Sequence, residues 1–233
     1  MSTRKLALAL SVGLVTACLE STGPPIQIEP DLVVADGMLH RLRWKQSERP
    51  RTFTARGYPD EERILTSASQ TTGDPATLST YQVSFWAVPG ETREIRIDYQ
   101  DDTGDDQPFL RFTVPRNALK SWPDGREFAG TDSILITVEL DTTQFLVRLE
   151  PTGLQFEPNK PAVLQIWYAG ADEDLDGDGD VDGDDTYIEL ELLRVWYEES
   201  EGQPWYGLNS TQDLSEKSYT VDLLHFSGYA VSW

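Results

Sequence analysis

The fold is decided by Phe109-Leu110-Arg111-Phe112-Thr113-Val114 and Ile134-Leu135-Ile136-Thr137-Val138. Both stretches are rich in β-branched and aromatic residues and alternate along the chain, which is typical of strands with one buried face. Similar runs recur at short intervals between Gly, Pro, Asp and Asn residues, at 95–99, 145–149, 163–168, 188–192, 219–224 and 229–233. At least eight strands without intervening helices predict an all-β fold, an antiparallel β-sandwich or barrel.

The stretch from residue 31 to residue 90 is harder to interpret. Residues 38–42 and 61–65 fit either short helices or strands, whereas 83–88 fits a strand. Pro89-Gly90 marks a turn. We therefore expect two β-rich subdomains, an N-terminal region at 31–90 and a β-sandwich at 91–233.

Composition excludes several classes of protein. The chain has 233 residues, 39% of them hydrophobic, which is enough for a packed core and argues against wholesale disorder. Its 40 acidic and 19 basic residues give a net charge of −21. Nucleic acids and anionic membrane surfaces are disfavoured as partners, because phosphate binding needs clustered Lys and Arg. The single cysteine excludes an internal disulfide.

The N-terminus predicts export and lipidation. Arg4 and Lys5 precede an apolar run, Leu6 to Val15, that is too short to span a bilayer, which takes about 20 residues. The run ends at Leu14-Val15-Thr16-Ala17-Cys18, which resembles the lipobox of bacterial lipoproteins. The resemblance implies a signal peptide at 1–17, a lipid on Cys18 and a polar, Pro-rich tether at 18–30. The alternative is an ordinary secretory signal with an incidental cysteine.

This resemblance implies that the protein is located in the bacterial cell envelope. Leu19 stands directly after Cys18, where an Asp would resemble the inner-membrane retention signal. We therefore expect a lipid-anchored protein of the outer membrane.

The C-terminal half resembles the ZU-five domain, a β-sandwich module of ankyrins, netrin receptors and tight-junction proteins. The matching pieces are 112–119, 133–138, 150–156 with Pro161, and 225–229. The resemblance implies a non-enzymatic interaction module or rigid spacer. It departs from the family in an Asp-rich insertion at 171–186, and residues before about 109 have no counterpart.

That insertion is the strongest candidate site. Nine of the 14 residues from 172 to 185 are acidic and none is basic. Read from Asp174, the spacing matches an EF-hand calcium loop and resembles the dockerin type, with Gly179 at the turn. The predicted ligands are Asp174, Asp176, Asp178, Asp180 (through its carbonyl), Asp182 and Asp185. Carboxylates without His or Cys favour calcium.

Two alternatives to this interpretation stay open. A competing register begins at Asp178, uses Gly183 as the turn and ends at Glu189, within the predicted strand 188–192. The other alternative is a solvated acidic loop without an ion. With a single loop, we expect the ion to be structural.

Two further motifs suggest other functions. In autoproteolytic relatives of the ZU-five module, a His-Phe-Ser motif like His225-Phe226-Ser227 is cut before the serine, whose hydroxyl attacks the preceding carbonyl. Trp122 and Trp205 lie in turns, where exposed rings could bind sugars. The sequence therefore favours a non-catalytic envelope lipoprotein that binds an unidentified envelope protein or glycan. A carbohydrate-binding module and a self-cleaving β module are the alternatives.

Overall fold

The chain forms two antiparallel sheets packed face to face. The computed structural model describes residues 39–45, 52–59, 64–70 and 78–233. The strands are β1 (Phe53–Tyr58), β2 (Ile64–Gln70), β3 (Leu78–Ala87), β4 (Arg93–Gln100), β5 (Asp106–Val114), β6 (Leu119–Ser121), β7 (Ile134–Asp141), β8 (Leu146–Glu150), β9 (Gln155–Phe156), β10 (Ala162–Trp167), β11 (Arg194–Glu198), β12 (Tyr206–Gly207), β13 (Thr211–Asp213), β14 (Ser218–Leu223) and β15 (Gly228–Ser232). The predicted all-β class and the sandwich are confirmed.

The strands divide into a six-stranded sheet, a seven-stranded sheet and a small two-stranded sheet. The six-stranded sheet has the order β1-β4-β5-β10-β14-β13, and the seven-stranded sheet has the order β12-β11-β15-β8-β7-β3-β2. Strands β6 and β9 pair separately. Strands distant in sequence are therefore neighbours in space, as in β10 between β5 and β14.

The core lies between the two large sheets and follows from the alternation of side chains. In β7, Ile134, Ile136, Val138 and Leu140 are buried, while the residues between them face outward. The inward residues of β4 and β5 meet them from the other sheet. Burial of one face of each sheet is the main stabilising contribution in such a sandwich.

The predicted boundary at residue 90 does not separate two subdomains. Strand β1 pairs with β4, and β3 pairs with β7, so strands from before and after residue 90 share both large sheets. Pro89-Gly90 is a turn between β3 and β4, and Gly90 has a positive φ of 88°. The expectation of an N-terminal subdomain fails because pairing between distant strands, not a local turn, decides what forms one unit.

Residues 188–192 form a helix, where the sequence predicted a strand. Helix α1 (Gly183–Tyr187) continues into a one-turn π-helix (Ile188–Leu192). Ile188 is buried but Leu190 is 49% exposed, which is inconsistent with one buried strand face. A capping box begins the helix. The side chain of Asp182 accepts a hydrogen bond from the amide of residue 185, and the side chain of Asp185 accepts one from the amide of residue 182.

A short segment near the N-terminus, residues 39–45, crosses one end of the sandwich; we call it the strap. At its start, the backbone of His40 exchanges hydrogen bonds with that of Trp233. At its end, the amide of Lys45 donates to the carbonyl of Gly170 at 3.0 Å. Between them, Leu42 and Trp44 insert into the main core. The strap therefore links the last strand of the chain to the segment that leads into the acidic loop.

The N-terminal predictions lie outside the described residues. These are the signal peptide at 1–17, the lipid on Cys18 and the tether at 18–30. Within the described ranges, no helix has the length and apolar character needed to cross a membrane.

Candidate metal site in the acidic loop

The acidic loop joins β10 to β11 and is fixed at both ends. Before it, the amide of Ala171 donates to the backbone carbonyl of Tyr168, and Trp44 forms a β-bridge with Ala171. After it, the carbonyl of Leu193 accepts a hydrogen bond of 2.6 Å from the hydroxyl of Tyr219. The loop is therefore held between rigid strands, which is how a scaffold positions a site.

Asp185 is the centre around which the loop folds. It is 4% exposed, and its carboxylate accepts hydrogen bonds from the amides of Leu175 at 2.6 Å, Asp182 at 2.8 Å and Asp176 at 3.4 Å. These bonds draw the two halves of the loop together. Asp185 also belongs to the capping box, so its position is fixed by the start of α1.

Asp174 organises the turn on the opposite side. Its two oxygens accept from the amides of Gly177 at 2.7 Å and Gly179 at 3.0 Å. Both glycines have positive φ angles, 77° and 102°, which other residues rarely adopt. The glycines therefore let the backbone curl around the Asp174 carboxylate.

Three of the six predicted ligands come together. One carboxylate oxygen from each of Asp174, Asp176 and Asp185 lies within 4.8 Å of the others. Such spacing suits hard oxygen ligands around one cation, and the donor set contains no nitrogen or sulfur. These residues occupy positions 1, 3 and 12 of the predicted loop, so the residues present fit calcium.

The other three predicted ligands do not belong to this group. An oxygen of Asp178 accepts from the amide of Asp180 at 2.9 Å, and an oxygen of Asp182 caps α1 through the amide of Asp184 at 2.8 Å. All three of these aspartates, at 178, 180 and 182, are exposed. A cavity of about 230 Å³ opens beside Asp185, but neither Asp174 nor Asp176 lines it.

The geometry favours the register that begins at Asp174. The competing register needs a turn at Gly183, but Gly183 is the first residue of α1. Its last ligand, Glu189, lies in the π-helix with an oxygen 3.6 Å from the ammonium of Lys217. Val181 is at position 8 of the preferred register, where such a loop favours an apolar residue, but it is 63% exposed and adds no support.

The pKa values of two carboxylates at the site are shifted in opposite directions. Hydrogen bonds from the backbone, first that of Asp182, lower the pKa of Asp185 despite its burial. The amide of Asp178 lowers the pKa of Asp176, but desolvation and the charges of Asp178, Asp185 and Asp174 outweigh it and raise that pKa. A cation between these groups would relieve the repulsion that raises the pKa of Asp176.

Sequence reasoning missed the basic residues that meet the loop. Lys45 forms an ion pair with Glu173 at 3.1 Å, and its hydrogen bond and charge lower the pKa of Glu173. The guanidinium of Arg43 packs against Gly177, where even a methyl group would collide with it. No sequence signal marks these contacts, since the strap lies more than 120 residues before the loop.

The His-Phe-Ser motif lies in the connection between β14 and β15. The hydroxyl of Ser227 is buried beside the phenol of Tyr229, with which it shares a side-chain hydrogen bond, and the carbonyl of Phe226 accepts from the amide of Gly153 at 3.2 Å. His225, however, lies 3.7 Å from Glu199, and His40 stacks on Trp233. Among the described residues, neither histidine is paired with the hydroxyl of Ser227.

The two tryptophans considered for sugar binding are covered. Trp205 is 9% exposed and Arg41 lies 4.9 Å above its ring. Trp122 stacks on Phe128 at 4.7 Å and meets Arg126 at 4.5 Å. Their ring faces are therefore occupied by protein side chains, whereas Trp86, in β3, is 46% exposed.

Comparisons of the chain with protein-family models, with curated proteins and with solved structures give no match.

Proposed function

We propose that this protein is a lipid-anchored lipoprotein of the bacterial cell envelope whose folded part is a non-catalytic interaction or structural module with a calcium-stabilised loop. The observation that carries the calcium part is that the carboxylates of Asp174 and Asp176 converge on the buried carboxylate of Asp185. The lipobox at residues 14–18 supports the anchor. The resemblances to the ZU-five and dockerin families support the module and the loop.

Calcium has a structural role in this proposal. The loop carries nine acidic residues; Arg43 and Lys45 of the strap contact it, and the charge of Lys217 acts on Glu173. A divalent cation between the three converging carboxylates offsets repulsion that otherwise opposes loop ordering. The loop in turn holds the connection between two core strands, so the ion stabilises the sandwich.

Calcium at about 1 mM should raise the melting temperature of the wild-type protein. With a Kd of about 10⁻⁴ M, the gain is about 1.4 kcal/mol. That gain corresponds to about 3–5 °C for a domain of this size. Magnesium should do much less, because it dehydrates reluctantly and needs octahedral geometry. Thermal unfolding with calcium, with magnesium and with chelator measures this.

Two variants test the register. Asp174→Ala should abolish the calcium-dependent shift, because it removes one of the three converging oxygens. Glu189→Ala should keep most of it, because Glu189 pairs with Lys217. Equal melting curves of the wild type in calcium and chelator would overturn the calcium site. Loss of the shift in Glu189→Ala alone would establish the competing register.

The anchor is tested separately. Cys18→Ser should move the protein from the membrane fraction to soluble or unprocessed forms, because the chain contains no other thiol to lipidate. Ser21→Ala, three residues further on, is the control and should remain in the membrane fraction. Cell fractionation and the mass of the N-terminal peptide give the result. Unchanged partitioning of Cys18→Ser, without lipid on the peptide, would contradict the lipoprotein assignment.

A further inference from the structure

The strap and the acidic loop form one contact surface. Their backbones are joined by two hydrogen bonds, from Lys45 to the carbonyl of Gly170 at 3.0 Å and from Asp172 to the carbonyl of Arg43 at 2.7 Å. A β-bridge between Trp44 and Ala171 lies between these bonds. The base of the loop therefore serves as the pairing partner of the strap.

Side chains extend this contact into the loop. The guanidinium of Arg43 lies on the backbone of Gly177, three residues after Asp174. Lys45 pairs with Glu173, the residue immediately before Asp174. Both contacts are made in the loop conformation in which the Asp174 carboxylate accepts from Gly177 and Gly179.

The ion and the strap use different atoms of the loop. Arg43 contacts the loop at Gly177, and Lys45 contacts it through Glu173. The converging oxygens belong instead to Asp174, Asp176 and Asp185. The basic residues of the strap therefore do not occupy the cation position. A single loop conformation can hold the ion and contact the strap.

We infer that calcium binding at the loop holds the strap in place, so that calcium controls how firmly residues 39–45 are fastened to the sandwich. The inference rests on the calcium site proposed above. Any ligand that stabilises the loop conformation also stabilises whatever docks on it. Release of the strap would free seven residues, 39–45, whose fully extended length is about 23–25 Å.

The predicted effect can be measured by hydrogen exchange of the purified protein. Strap opening should become about tenfold rarer at about 1 mM calcium, given a Kd of about 10⁻⁴ M. The amides of Lys45 and Asp172 should therefore exchange about tenfold more slowly in calcium than in chelator. The reference amides are those of Phe156 and Glu157. They donate to the carbonyls of Leu224 and Ala118, neither of which belongs to the loop. They should slow less than Lys45 and Asp172.

Variants separate the strap from the ion. Arg43→Ala should leave the calcium-dependent melting shift in place while strap exchange in calcium becomes several-fold faster. Arg116→Ala, an exposed arginine in the turn after β5, is the matched control and should change neither quantity. Asp174→Ala should make strap exchange insensitive to calcium.

Each outcome has a distinct meaning. A melting shift with selective slowing at Lys45 and Asp172 supports the inference. A melting shift without slowing, or with equal slowing at Phe156 and Glu157, overturns the inference and leaves the calcium site standing. Absence of a melting shift overturns the calcium site and the inference with it.

Discussion

Trp44→Ala is expected to lower the free energy of unfolding by about 3–5 kcal/mol, the usual loss when a buried tryptophan is truncated. Trp44 is 8% exposed and stacks on Phe145 with a centroid distance of 4.4 Å. It also stacks on Phe109 at 5.6 Å and meets the edge of Tyr99 at 5.1 Å. The melting temperature should fall by about 6–20 °C, at about 2–4 °C per kcal/mol for a chain of this size.

Two substitutions serve as controls for this result. Trp86→Ala removes the same side chain from a position that is 46% exposed and should cost less than about 1 kcal/mol. Trp44→Phe should recover most of the loss, since the indole nitrogen of Trp44 is buried without a hydrogen-bond partner in the described residues. Thermal unfolding followed by near-UV circular dichroism measures all three variants. Equal losses for Trp44→Ala and Trp86→Ala would show that the strap does not contribute to the core.

The strands could be predicted because each carries its own pattern. In β7, every second side chain from Ile134 onward is buried, and the sequence shows that alternation directly. The partners of each strand could not be predicted, because pairing depends on contacts between distant residues. That is why Pro89-Gly90 was expected to be a boundary, although β1 and β3 pair with strands that follow it.

The misassigned stretch at 188–192 shows a competition between two local signals. Apolar and acidic residues alternate there, which favours a strand. Asp182 and Asp185, however, have the spacing of a capping box, and the helix that they begin runs through this stretch. The amide of Leu193 closes the π-helix on the carbonyl of Ile188 at 2.8 Å. The alternation alone predicted a strand, whereas the capping box begins the helix that residues 188–192 continue.

The candidate site was partly predictable for a similar reason. The spacing of Asp174, Gly179 and Asp185 is local, and in the structure the amide of Gly179 donates to Asp174, whose carboxylate lies near that of Asp185. The strap that supports the loop is distant in sequence, and nothing in Arg43 or Lys45 indicates which loop they meet. Local spacing predicts the ligands of such a site, whereas its supports depend on the tertiary fold.

Asp185→Ala is expected to be the most damaging substitution in the loop, even without calcium. It leaves the amides of Leu175, Asp176 and Asp182 without the acceptor that now binds them. It also breaks the capping box of α1. An unsatisfied buried amide costs about 1–3 kcal/mol, so partial access of water to the three amides gives a total loss of about 3 kcal/mol. The melting temperature should fall by about 6–12 °C in chelator.

The neighbouring residue supplies the control, and acid supplies an independent test. Asp184→Ala changes an exposed carboxylate one residue earlier and should cost less than about 1 kcal/mol. Because hydrogen bonds from the loop backbone lower the pKa of Asp185, its stabilising contribution is fully present at neutral pH. It is lost as the pH falls below the ordinary Asp pKa of about 3.9 and through the lower folded value. The difference in stability between wild type and Asp185→Ala, measured in chelator, should therefore narrow in that range. A difference that stays constant down to about pH 2 would show that the carboxylate charge of Asp185 does not hold the loop together.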